Sequence, residues 1–98
     1  MAGQIETQKE AQSKLLLEAI QRQLGAAGAG TIESITGTYD GKDTIHYLGN
    51  VFFPDGIDPQ SITNVRQKIA NFCDIQENGL YAFAVTQVVK IGQEIKVN

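Results

Sequence analysis

The sequence predicts an α+β fold in which the elements follow the order αββαββ. Two segments carry apolar residues at helical spacing, and four others are rich in β-branched and aromatic residues. The chain has 98 residues, of which 42% are apolar and 19% are charged, and this balance is typical of a folded chain. We therefore expect residues 1–98 to form a single α+β domain around one core.

The first helix is predicted from Ile5 to Leu24, a segment rich in strong helix formers. Leu16, Ile20 and Leu24 recur at every fourth position and give this helix one apolar stripe. Residues 25–30 then read Gly-Ala-Ala-Gly-Ala-Gly, with a predicted helix before them and a predicted strand after them. A dinucleotide-binding fingerprint needs the reverse order, so we expect a flexible connector that binds no ligand.

The second helix is predicted from Pro59 to Phe72. Asp58 is a suitable N-cap, and proline is favoured in the first helical turn that follows it. Apolar residues continue at helical spacing through this segment, and Cys73 falls on the same stripe. We therefore expect Cys73 to be a buried and unreactive thiol.

Four strands are predicted, and the pair Asp40-Gly41 marks a hairpin turn between the first two. They are Thr31–Tyr39, Thr44–Phe53, Leu80–Val89 and Gln93–Val97. With short connections between successive strands, the sheet is expected to be four-stranded and antiparallel, with both helices packed on one face.

The element order resembles a known topology. The ferredoxin-like order is βαββαβ, and moving its first strand to the end gives αββαββ. The expected architecture is therefore a permuted ferredoxin-like fold. A cystatin-like sheet that wraps around the first helix is the alternative. A likeness of topology alone implies no function.

The sequence offers no catalytic or metal-binding constellation, so we expect no catalytic residue, metal or cofactor. His46 and Cys73 are the single histidine and the single cysteine, too few for a closed zinc site. The aspartates in two loops lack calcium-loop spacing and are explained by turn and capping chemistry. They are Asp40, Asp43, Asp55 and Asp58.

Charge and apolar runs indicate the compartment and exclude some partners. The net charge of −3 opposes nucleic-acid binding. The longest apolar run, Leu80–Val85, is far shorter than the roughly 20 residues of a membrane span. Met1–Glu6 lacks the features of a signal peptide. We expect a cytoplasmic protein that binds neither nucleic acid nor membrane.

Alternation fails in the third predicted strand, because both of its faces are apolar. Leu80, Ala82 and Ala84 lie on one side, and larger side chains lie on the other. We expect the alanine side to pack against the helices, which leaves the larger side chains outward as a partner-binding surface. The expected partner-binding residues are Tyr47, Val51, Tyr81, Phe83 and Val85.

The predicted function is a non-enzymatic protein-interaction module that self-associates through this apolar sheet face, as a homodimer. Its task would be that of an adaptor, an inhibitor or an assembly subunit for a protein partner that the sequence does not identify. The alternative is a small-ligand-binding domain or small enzyme with a pocket on the same face. His46, Tyr47 and Tyr81 would be the polar groups of that pocket.

Overall fold

An antiparallel sheet with both helices on one of its faces forms the fold, as the sequence predicts. The computed structural model describes residues 2–97. Within them, every strand pairing is antiparallel, and the sheet is open rather than closed into a barrel. The elements are α1 (Ala2–Ala26), β1 (Thr31–Ile32), β2 (Thr36–Tyr39), β3 (Thr44–Phe52), α2 (Pro59–Ala70), β4 (Asp74–Gly79) and β5 (Ala82–Lys90).

The five strands occupy four positions across the sheet, because β1 and β2 both pair with β3. The first predicted strand is therefore interrupted at residues 33–35. The interruption lets Ile35 bury its side chain over Gly49 of β3, where a Cβ would lie only 2.5 Å from Ile35 Cδ1. From edge to edge, the order is β1/β2, β3, β5, β4, which is compatible with the permuted ferredoxin-like description.

The last strand of this order, β4, was not predicted from the sequence. It reads Asp-Ile-Gln-Glu-Asn-Gly, and its aspartate, glutamate, asparagine and glycine have low strand propensity. Tertiary contacts hold this edge strand: it pairs with β5, and Arg66 Nε of α2 lies 2.6 Å from Glu77 Oε1. The Arg66 guanidinium also lies over the Phe83 ring, 5.8 Å from its centroid.

The predicted last strand, Gln93–Val97, is wrong: this segment is not a strand, and β5 is the last one within residues 2–97. A side chain of β5 holds this segment, and no ladder of backbone hydrogen bonds does so. Gln87 Nε2 donates to the Lys96 carbonyl at 2.9 Å, and Gln87 Oε1 accepts from the Lys96 amide at 3.1 Å. Ile95 and Val97 pack against the core on the helix side of the sheet.

Both helices begin or end close to the predicted positions. The Asp58 side chain accepts a hydrogen bond from the Gln60 amide at 3.0 Å, which confirms the predicted N-cap. Helix α2 ends at Ala70, two residues before the predicted end, so Cys73 lies in the turn that leads to β4 and not on the helix. Helix α1 continues through Ala26, and the chain turns at Gly28, whose φ is +80°.

The expected assignment of the two sheet faces is wrong. The odd-numbered residues of β3 and β5 point towards the helices, and the alanines point away. The large side chains fill the space between sheet and helices, whereas the small residues on that side are the strand glycines. Tyr47 lies against Gly37, and Ile35 lies against Gly49. The buried residues expected to be outward are Tyr47 (1% exposed), Val51 (0%), Phe83 (0%) and Val85 (0%), while Tyr81 is partly buried against the core.

Candidate functional site

The side of the sheet that faces away from the helices is the most distinctive surface of the chain; we call it the outer face. It is formed by the even-numbered residues of β3 and β5 and by their partners on the edge strands. Large apolar side chains are exposed here: Leu48 at 47%, Phe52 at 43% and Val88 at 52%. Leu80, 73% exposed, lies in the turn between β4 and β5. A concentration of exposed apolar side chains on one face is typical of interaction sites.

Strand register aligns the outer-face residues in rows. Phe52 lies opposite Ala82, and Leu48 lies opposite Thr86, so a large side chain on β3 meets a small one on β5 in both rows. Between these rows, Asn50 lies opposite Ala84. Ala84 is only 8% exposed although it points away from the helices, because larger neighbours stand on both sides of it.

Hydroxyl and amide groups lie around the apolar residues and also between them. Threonines line the β1/β2 edge, and the Asn78 amide nitrogen of β4 donates to the Asn50 side-chain oxygen at 3.4 Å. Charged side chains stand near the margin: Asp74 starts the edge strand β4, and Lys90 ends β5. An apolar centre with a polar margin is the usual composition of a protein interface.

The β2–β3 hairpin that presents half of this face is fixed by its turn. Asp40 Oδ1 accepts hydrogen bonds from the Lys42, Asp43 and Thr44 amides, at 2.8, 3.1 and 3.1 Å. These bonds, the one from Lys42 first, lower the pKa of Asp40 below its ordinary value. The predicted Asp40-Gly41 turn is confirmed, with Gly41 at a φ of +83°.

The polar groups of the alternative, ligand-pocket interpretation do not meet. His46 is exposed on the outer face, whereas its neighbour Tyr47 is buried on the helix side. The Tyr47 hydroxyl donates to Gln12 Oε1 at 2.7 Å, and burial raises the pKa of Tyr47 to about 12. Tyr81 also lies on the helix side. Adjacent residues of a strand point to opposite faces, so these three side chains form no common pocket.

Cys73 is buried and free, as expected. Burial raises the pKa of its thiol to about 12; contact with the Gln87 side chain opposes this rise, and the Asp74 carboxylate adds to it. A thiol with a raised pKa carries little thiolate near neutral pH and is a weak nucleophile. His46 lies on the opposite face of the sheet, so the two groups cannot act as a pair.

A cleft of about 480 Å³ lies between the first turns of α1 and the turn at Gly92–Glu94, and we call it the α1 cleft. Its α1 wall presents small side chains, Gly3, Thr7 and Ala11. The amides at its floor already bond to one another: Gln12 Nε2 donates to the Gln93 carbonyl at 2.6 Å. These contacts join α1 to the end of the chain and leave little polar capacity for a ligand.

The exposed residues that the sequence interpretation did not assign to the partner-binding surface are Leu48, Phe52 and Val88. Their common face is evident from alternation along the strands, but the alternation does not reveal which face is covered. One signal could have decided it. Gly49 lies between Tyr47 and Val51 on the same face, and a glycine inside a strand often marks the close approach of another group.

Comparison of this chain with protein-family models, with curated proteins and with solved structures finds no match. Within residues 2–97, no three His, Cys, Asp or Glu side chains stand close enough together to hold a metal ion. Over the same range, no helix combines the length and the apolar character needed to cross a membrane.

Proposed function

We propose that this chain is a non-enzymatic protein-interaction module that self-associates as a homodimer through the outer face of its sheet. The observation that carries the proposal is the concentration of exposed apolar side chains on that face. Leu48, Phe52 and Val88 are each between 43% and 52% exposed. Burying the exposed part of a side chain such as Phe52 would contribute on the order of 1 kcal/mol per copy. This proposal keeps the expected role and places it on the opposite face of the sheet.

The outer face approaches the size of a typical dimer interface. The two central strands have nine residues each and extend about 30 Å. The edge positions hold β1 with β2 on one side and β4 on the other, and these shorter strands extend about 20 Å at each edge. A plane of roughly 500 Å², enlarged by the relief of its side chains, compares with a typical value of about 800 Å² per partner. The few charges near its margin add little desolvation cost to its burial.

The oligomeric state tests the proposal. Light scattering on a sizing column, over a range of protein concentrations, should give twice the mass of one chain for the wild type. Leu48→Asp should reduce this to the monomer mass while circular dichroism stays native, because it places a carboxylate in the centre of the interface. Leu15→Asp is the matched control, since Leu15 is 50% exposed but lies on α1.

Two results would overturn the proposal. A wild-type chain that stays monomeric at high micromolar concentration has no self-associating face. Equal dissociation by Leu15→Asp and Leu48→Asp would show that the outer face is not the interface. The proposal is supported if the Leu15→Asp variant keeps the dimer mass of the wild type and the Leu48→Asp variant has the mass of a monomer.

A further inference from the structure

Part of the outer face places large side chains beside small ones. The exposed side chains of Leu48 and Phe52 project from β3, and we call them the ridge. Beside them, β5 presents the small residues Ala82, Ala84 and Thr86, which we call the groove; the groove ends at Val88, which is 52% exposed and lies opposite His46. Each ridge residue has a groove residue as its cross-strand partner, and the low exposure of Ala84, at 8%, shows how far the groove lies below its surroundings.

Only some ways of joining two such faces let them interdigitate. A two-fold axis in the plane of the interface and parallel to the strands exchanges the β3 side of one copy with the β5 side of the other. It places each ridge over the groove of the second copy. A two-fold axis across the strands places ridge on ridge and groove on groove. Packed sheets interdigitate their facing side chains at a separation of about 10 Å, which favours the first arrangement.

We propose that a second copy of this chain binds with the two-fold axis parallel to the strands and midway between β3 and β5. The proposal rests on the self-association proposed above and specifies its geometry. Cross-strand partners lie at the same height along the strands. Phe52 of each copy therefore meets Ala82 of the other, and Leu48 meets Thr86.

The charged residues of the face fit this geometry. Asp74 is in the row of Thr86 and Leu48, whose outermost member on the opposite edge is Thr36. The proposed axis puts each Asp74 opposite the Thr36 of the second copy. Lys90, which pairs with Thr44, meets that threonine. An axis across the strands through the same row would instead bring the two Asp74 carboxylates together, which costs free energy.

A size exchange between two variants tests the geometry. Phe52→Ala removes part of the ridge, and Ala82→Phe fills part of the groove. Each variant alone should dimerise at least about tenfold more weakly than the wild type, because one leaves cavities and the other clashes at both contacts. In an equimolar mixture, the shortened ridge of one meets the filled groove of the other, and the remaining contact is wild type. The mixture should therefore form a heterodimer.

Native mass spectrometry distinguishes the heterodimer from both homodimers by mass. The pair Leu48→Ala with Thr86→Leu repeats the exchange in a second row, in case a variant of the first pair folds poorly. Heterodimers in preference to either homodimer support the proposed axis. A wild-type dimer that Leu48→Asp dissociates, combined with no preference for heterodimers in either exchange, overturns the geometry alone. A monomeric wild type overturns the self-association itself.

Discussion

Tyr47 is the largest of the fully buried side chains, and its hydroxyl has one partner, Gln12, which is itself 7% exposed. The ordinary pKa of tyrosine is 10.0, and burial raises that of Tyr47 to about 12 in the folded chain. The fold therefore favours the neutral phenol. This contribution to the free energy of unfolding is complete below pH 10, and it is lost as the pH rises from 10 towards 12.

Replacement of Tyr47 by Phe should show this dependence. At neutral pH, Tyr47→Phe should lower the free energy of unfolding by about 1–2 kcal/mol, since a buried hydrogen bond is lost. Between pH 10 and 12, the wild type should lose stability more steeply than the variant. Urea unfolding at a series of pH values measures both effects, and parallel slopes over that window would contradict the burial of an un-ionised Tyr47.

At the scale of elements, two glycines near the end of α1 require different backbone conformations. Gly25 lies inside the helix, and Gly28 follows the end of the helix with a φ of +80°. A Cβ at either position would meet no atom within 4 Å, so packing does not distinguish them. The difference between the two positions is therefore purely one of backbone conformation.

Alanine at these two positions should have opposite effects on stability. Gly25→Ala should raise the free energy of unfolding by about 0.5–1 kcal/mol, because alanine is the better helix former. Gly28→Ala should lower it by about 1 kcal/mol, because an L side chain is strained at a positive φ. Urea titrations of the two variants make a matched comparison. Shifts in the same direction would show that the helix ends elsewhere.

The sequence predicts the elements whose signal is local. Asp58 caps the helix that follows it, and the pair Asp40-Gly41 turns the hairpin, because each acts through neighbouring backbone groups. It misses β4, whose pairing partner β5 and whose ion pair between Arg66 and Glu77 are tertiary. It also overpredicts a strand at Gln93–Val97, where the Gln87 side chain holds the segment and no ladder forms.

For the whole molecule, alternation defines two sets of strand residues but does not say which set the helices cover. The sets that contain Phe83 and Ala84 were separated correctly from the sequence, and their assignment to the inside and the outside was reversed. Sheet and helices pack with room for large side chains between them, so Phe83 belongs inside. The candidate surface depends on which set of strand residues the helices cover, and only the three-dimensional packing of helices and sheet decides this.

Glutamine side chains join the first turns of α1 to the turn that follows β5. Gln8 Oε1 accepts a hydrogen bond from the Gly92 amide at 2.9 Å, and Gln8 Nε2 donates to the Lys90 carbonyl at 3.3 Å. Gln12 Nε2 donates to the Gln93 carbonyl at 2.6 Å. The first turns of α1 carry few buried apolar residues, so these polar contacts hold them to the sheet. Opening of the helix start and of the final turn should therefore be coupled.

Gln8→Ala should uncouple these two segments. Exchange of the Gly92 amide hydrogen should become roughly fivefold faster, as expected for the loss of a hydrogen bond that contributes about 1 kcal/mol. Gln4→Ala is the matched control, because Gln4 lies one turn earlier than Gln8 on the wall of the α1 cleft. Hydrogen exchange followed by NMR measures the Gly92 amide in the wild type and in both variants. Equal acceleration by the two substitutions would attribute the effect to a general loosening of the packing of α1 against the final turn. Acceleration by Gln8→Ala alone shows that the Gln8 side chain joins the start of α1 to the turn that follows β5.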